Sequence, residues 1–204
     1  LHVFDADKLS GSLTVRRALK GEKFHALDDK IYELNEGMIV ITDEKEIVSL
    51  GGIIGGMKSA VSNETKNVLL EAAYFDPISI SSTGRKLQIN SDARYRFERG
   101  VDPSFTLPGS HIATKMIIDL CGGQVSDVII AGSVPSLRKK LIFDPKKVNQ
   151  LIGIEVNGKR QREILCSLGF SVKEVESKVE IIVPAWRPDV HGEVDICLLY
   201  TSPS

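Results

Sequence analysis

The sequence predicts an α+β protein in two parts, a strand-rich module followed by a small mixed domain. Three observations carry that reading. Short β-branched or alternating runs recur through the first hundred residues, a single helical apolar pattern follows them, and beyond a linker two helical segments precede a hairpin.

Residues 13–18 form the first run, with β-branched residues and partial alternation, and residues 31–34 follow the turn signal Asp28-Asp29-Lys30. Residues 38–41 and 47–50 flank the polar stretch Thr42-Asp43-Glu44-Lys45, which is how a hairpin is written. Residues 68–75 are a continuous apolar run broken by one carboxylate, Glu71, and are predicted as a buried central strand, with a short helix as the alternative. Asp76-Pro77 places a capping residue and a first-turn proline before a helix. Between Pro108 and Gly122, Ile112, Ala113, Met116, Ile117 and Leu120 recur at helical spacing, and Gly122-Gly123 ends that helix. Residues 124–130 read as a closing strand.

Residues 131–140, with Gly132, Pro135 and Arg138-Lys139-Lys140, read as a linker. Asp144-Pro145 then opens a short helix that stops near Gly153, and a second helix runs from about Lys159 to Leu168 before Gly169. Residues 172–175 and 179–183 pair as a hairpin across Glu176-Ser177-Lys178. Two helices followed by a hairpin give this part a winged-helix-like look.

At 204 residues, 42% hydrophobic and 26% charged, the chain has a globular composition. Twenty-six Lys+Arg against 27 Asp+Glu leave a net charge of -1, so contact with a polyanion must come from local patches. Cys121, Cys166 and Cys197 are far apart without a C-x-x-C pair, and are expected to be buried thiols of a reducing compartment. With no apolar run of membrane-spanning length and no signal-peptide pattern, a cytoplasmic location without membrane attachment is expected. The opening at Leu1 without a Met and the close at Ser204 read as those of an internal piece of a longer polypeptide.

Several constellations bear on chemistry. Residues 51–56 hold four glycines in six positions directly after a strand, either for close approach of a ligand to backbone or for a tight bend between strands. Residues 91–103 alternate charge with aromatic side chains. Arg94, Arg96 and Arg99 suit phosphates and Tyr95 a base, unless the cations pair with Asp92, Glu98 and Asp102. Glu71 within its apolar run is either on a solvent face or buried with a donor that needs it. Asp189 and Asp195 are oxygen ligands that suit a hard cation, or else part of a solvated face.

In combination, four segments are more specific than any one. Residues 1–9 (Leu-His-Val-Phe-Asp-Ala-Asp-Lys-Leu), Gly52-Ile53-Ile54-Gly55-Gly56, Leu70-Glu71-Ala72-Ala73 and residues 96–103 (Arg-Phe-Glu-Arg-Gly-Val-Asp-Pro) occur in that order. The chain thereby resembles the bacterial phenylalanyl-tRNA synthetase β-subunit family: residues 1–133 its B3/B4 editing module, residues 139–196 its winged-helix-like B5 domain. Residues 197–204 look foreign to the family, as an artefactual tail would.

The resemblance implies a ligase of protein biosynthesis, an α2β2 tetramer that joins phenylalanine to tRNA(Phe) using ATP and magnesium. Activation belongs to the α subunit; this piece would hydrolyse tyrosine misattached to tRNA(Phe). The implied editing pocket falls on His2, Gly52, Glu71, Ser91 and Ala93. Glu71 would read the tyrosine hydroxyl, Gly52 would leave room for substrate, Ser91 and Ala93 would line the cavity, and His2 would lie near the aminoacyl group. A positioned water would attack, with backbone donors at the oxyanion and no side chain assigned as general base. The RNA contacts expected from the charge pattern fall on Arg94, Arg96 and Arg99. Asp189 and Asp195 match magnesium ligands shared with the α subunit. Two departures stand out: Arg94 replaces a small residue beside the pocket, and Leu198 and Leu199 replace two glutamates of the metal site. Arg94 therefore keeps a rival reading open, a non-enzymatic scaffold that binds tRNA and the α subunit with a lapsed pocket.

Overall fold

Glycines, caps and alternating apolar residues divide this chain into short elements, and the computed structural model describes them for residues 1–136 and 138–201. Two units emerge, Leu1–Val134 and Pro135–Ser204. Leu137, inside the predicted linker, and the last three residues of the predicted tail lie outside the described residues.

The first unit contains β1 (His2–Asp5), β2 (Thr14–Arg17), β3 (Lys23–His25), β4 (Ile31–Glu33), β5 (Ile39–Thr42), β6 (Ile47–Leu50), β7 (Ile54–Gly55) and β8 (Val68–Glu71). Three helices follow: α1 (Pro77–Leu87), α2 (Asp92–Phe97) and α3 (Thr106–Cys121). A four-stranded sheet runs in the order β2-β5-β6-β7, beside two ribbons, β1-β8 and β3-β4, and every pairing is antiparallel. The hairpin of residues 38–50 forms as predicted, because Asp43 accepts hydrogen bonds from the amides of Ser10, Lys45 and Glu46 and so closes its turn. Phe4, Phe24, Leu34, Val40, Leu50, Ile53 and Ile80 make a dry core, each at most 2% exposed. Asp76 caps α1 by accepting from the Ser79 amide at 2.8 Å, with Pro77 in the first turn.

The second unit contains β9 (Lys139–Phe143), α4 (Lys147–Ile152), α5 (Gly158–Ser167), β10 (Ser171–Val175), β11 (Lys178–Val183) and α6 (Glu193–Leu198). Its sheet runs β10-β11-β9, antiparallel throughout. Phe143, Val148, Leu165, Ile181 and Ile196 form its core. The architecture is α+β, strand-rich first and then small and mixed, as the sequence predicts.

Four expectations are corrected. Residues 124–130 form no strand: Gly122 and Gly123 take positive φ, and Val125, Ile129 and Ile130 stay exposed without a partner strand to satisfy their backbone. The run 68–75 is a strand for only half its length, and β8 is no central strand, pairing with β1 alone. The last two residues of the predicted linker, Lys139 and Lys140, instead open strand β9 (Lys139–Phe143), which the paired lysines concealed. Cys121 and Cys166 are exposed, so only Cys197 is the buried thiol expected. Within the predicted tail, Leu199 and Tyr200 pack against the second core.

Candidate functional site

Antiparallel pairing of β1 with β8 sets His2 directly opposite Glu71, although 69 positions separate them in sequence. Both side chains are half-buried. The His2 imidazole meets the Phe4 ring edge-on at 4.5 Å, and burial lowers its basicity. Burial likewise pushes the Glu71 carboxyl up to about 7, outweighing the attraction of the amino group at Leu1. No side-chain donor among the described residues satisfies that carboxyl. A half-buried acid without a side-chain partner is left open to a donor from a ligand.

The glycine-rich turn explains how the ring is held. A Cβ at Gly55 would lie 2.6 Å from His2 Nε2, closer than atoms approach, so only glycine lets the imidazole rest on this backbone. Sequence reading passed over Gly55; its signal was present in the glycine cluster, but the partner lay 53 residues away. Gly52 has a different role from the one expected. Its missing side chain makes room for the Phe75 ring, which a Cβ would approach to 2.8 Å, and for Ile80 at 3.0 Å. It also takes φ of +69°, a conformation glycine adopts without strain.

Ser91 reaches the same turn from the other side. Its hydroxyl donates to Ile53 O at 2.6 Å and accepts from the Arg94 amide at 3.1 Å, capping α2. The hydroxyl is therefore already committed, and it pins α2 to the turn. Ala93 lies in the first turn of α2 and is half-buried. Thus His2 and Glu71 are adjacent, while Gly52 and Ser91 are tied to one turn, residues 51–56, on which His2 also rests. A cleft of about 420 Å³ beside Ser91 is bounded by Asp92, Arg94, Tyr95 and Glu98, with neither His2 nor Glu71 in its wall.

Arg94 borders the cleft beside Ser91 but is not free to form a basic face. Its side chain, 13% exposed, lies against Gly84 of α1. There it donates to Glu98 at 3.0 Å and to Ile89 O at 2.7 Å. Arg99 stacks on Tyr95 at 3.6 Å and pairs with Glu98, so its charge is partly neutralised; Arg96 is exposed.

The two acids of the second unit are not brought together as ligands. Asp189 grips Arg187 with both oxygens, at 2.9 and 2.7 Å, and that guanidinium holds its carboxyl below the usual range. Asp195 accepts from the amides of His191 and Gly192 at 2.8 and 2.9 Å, which lower its pKa and close the first turn of α6. Among the described residues no group of three or more His, Cys, Asp or Glu is placed to hold a metal ion. This arrangement does not fit the magnesium ion that the resemblance implies: one acid is paired with Arg187, and the other accepts from backbone amides. No described helix is long and apolar enough to cross a membrane.

Comparison with known proteins adds to this geometry. A family model described as the B3/4 domain matches residues 1–122, and one described as the tRNA synthetase B5 domain matches residues 141–197. Phenylalanine–tRNA ligase β subunits of Cereibacter sphaeroides and Rhodopseudomonas palustris are each 50% identical to it, covering 96% of this chain and 24% of the relative. The chain thus spans about a quarter of the length of the curated relatives it matches. A solved N-terminal fragment of the phenylalanyl-tRNA synthetase β-subunit from Pyrococcus horikoshii is similar at a TM-score of 0.48 and 18% identity. It covers 98% of this chain and 58% of that one, a likeness that carries no argument.

Proposed function

The chain belongs to the phenylalanine–tRNA ligase β-subunit family, with a B3/4 domain followed by a B5 domain, and from that premise we propose that residues 1–133 edit tRNA(Phe) misacylated with tyrosine. The observation that carries the reading is Glu71, a half-buried carboxyl without a side-chain donor, facing His2 across two paired strands. A tyrosine phenol supplies the missing donor. Phenylalanine in the same place would leave the carboxyl unpaired, and a site built to bind a hydroxyl rejects the analogue lacking it strongly.

The chemistry is ester hydrolysis. Water adds to the tyrosyl carbonyl, the tetrahedral oxyanion collapses, and the ribose hydroxyl of the terminal adenosine leaves with a proton. Tyrosine and intact tRNA are the products. Backbone donors stabilise the oxyanion, and His2, held on Gly55, borders the aminoacyl group as a neutral imidazole near pH 7. Glu71 is occupied with recognition, so no side chain is assigned as general base. The whole protein pairs with an α subunit as α2β2 in the cytoplasm, and phenylalanine activation with ATP and magnesium takes place on α. The B5 domain contributes to that assembly.

The scaffold reading drew its support from Arg94, whose guanidinium is spent on Glu98 and Ile89 O. The test is deacylation of tyrosyl-tRNA(Phe) by the full β subunit paired with α, with phenylalanyl-tRNA(Phe) as control. Tyrosine-selective hydrolysis should fall by roughly 100-fold in Glu71→Ala. Background hydrolysis beside normal aminoacylation would replace the editing reading by the scaffold.

A further inference from the structure

The outward side of α1 carries charge that the first unit does not use. Ile80, Thr83 and Gly84 face the core, so helical periodicity turns Ser82, Arg85 and Lys86 outward, with Ser81 half-buried beside them. These four line a shallow groove of about 500 Å³. The only carboxylate in its wall, Glu98, is already paired with Arg94 at 3.0 Å and Arg99 at 3.1 Å. The groove therefore presents two cations and two hydroxyls with no local anion left to neutralise them.

Glu98 also borders the cleft beside Ser91, so the two hollows adjoin. A chain of net charge -1 has no bulk attraction for a polyanion, and any that it binds must meet a local patch of this kind. We propose that Arg85, Lys86, Ser81 and Ser82 form a phosphodiester-binding groove that seats the backbone of the RNA whose aminoacylated 3′ end is offered to the first unit. The inference rests on the editing reading for the identity of that RNA. The partner's chemistry follows from the groove. Phosphate oxygens accept from the serine hydroxyls and from the guanidinium, which can engage two oxygens at once, while the lysine supplies a point charge. A shallow site open to solvent suits a polymer backbone. Its contacts are blind to sequence, so they position the substrate and leave selection of tyrosine to the pocket.

The experiment compares the double variant Arg85→Gln/Lys86→Gln with the parent, both as full β subunit paired with α. Lys115→Gln, which removes an exposed cation of α3 that is paired with Asp119, serves as the control. For tyrosyl-tRNA(Phe) hydrolysis the double variant should raise KM roughly tenfold with kcat within about twofold, while Lys115→Gln changes neither. Binding of a tRNA carrying tyrosine through an amide in place of the ester is measured against salt. The slope of log affinity on log salt should become shallower by about 1 to 2 in the double variant. This arm needs no hydrolysis, so a shallower slope in an enzyme that does not deacylate would keep the groove and remove the editing reading. An unchanged KM together with an unchanged slope overturns the groove, as does an equal loss in Lys115→Gln.

Discussion

Glu71 in the first unit and the pair Asp189 and Asp195 in the second are acids of similar prominence in the sequence, and the structure treats them in opposite ways. Asp189 and Asp195 have their needs met within a few residues, by a guanidinium and by two amides, and their carboxyls are held ionised. Glu71 is half-buried, has no side-chain donor among the described residues and is pushed toward neutrality. A locally satisfied acid stabilises its own loop. An unsatisfied one in a half-buried place marks where a ligand would be welcome.

The largest test of that contrast is the pH dependence of stability. The folded Glu71 carboxyl, at about 7, titrates above its unfolded value. Folding therefore favours the proton. Relative stability is full below the unfolded pKa and is lost as pH rises through the folded one, a loss on the order of 3 kcal/mol. Denaturant unfolding of the parent should show this decline between about pH 4.5 and 7, and Glu71→Gln should flatten it. Asp189 and Asp195 have the opposite sign, contributing stability above their unfolded values that is lost as pH falls through the depressed folded values. A parent curve identical to that of Glu71→Gln would erase the distinction between the two regions.

Next in size is Gly55→Ala. Gly55 does not take a positive φ, so an alanine there adds a collision with the imidazole and with Leu27 without forcing the backbone. The ring must leave its seat on the turn. Tyrosyl-tRNA(Phe) hydrolysis should fall at least about tenfold in kcat/KM, with the far-ultraviolet circular dichroism spectrum unchanged. Full activity in Gly55→Ala would mean that the position of His2 does not matter to the reaction.

How much of this was legible follows from the range of each signal. The hairpin of β5 and β6, the Asp76-Pro77 cap and the glycine stops at Gly153 and Gly169 are written within a few residues of where they act, and the structure has them. The apolar run around Glu71 told that this acid was unusual. The contact of His2 with Gly55 was not legible, since it depends on β1 pairing with β8 in one register and on a turn half a module away. Arg94 illustrates the same limit. Its spacing to Glu98, four residues on a helix, announces the ion pair, whereas its seat on Gly84 depends on how α1 and α2 cross. Strand β9 stayed hidden because Lys139 and Lys140 look like a linker; Lys139 in fact donates to Pro188 O and Val190 O, anchoring the loop before α6.

The smaller effects belong to the second unit. Asp195→Ala strips the first turn of α6 of its acceptor, and loss of such a cap costs about 1 kcal/mol; thermal unfolding of residues 135–204 within the β subunit should register it. Asp189→Ala should cost less, a few tenths of a kcal/mol, because the pair with Arg187 is largely solvated: 60% of the Asp189 side chain is exposed. Arg187 then keeps its place above the Phe170 ring, 5.7 Å from its centre, and loses only one partner. If these two acids instead hold a magnesium ion in the assembled protein, Asp189→Ala and Asp195→Ala will each abolish a magnesium-dependent rise in melting temperature that the parent shows. The arrangement seen here predicts that no such rise depends on either residue, because a metal would first have to break a bidentate guanidinium pair and uncap a helix.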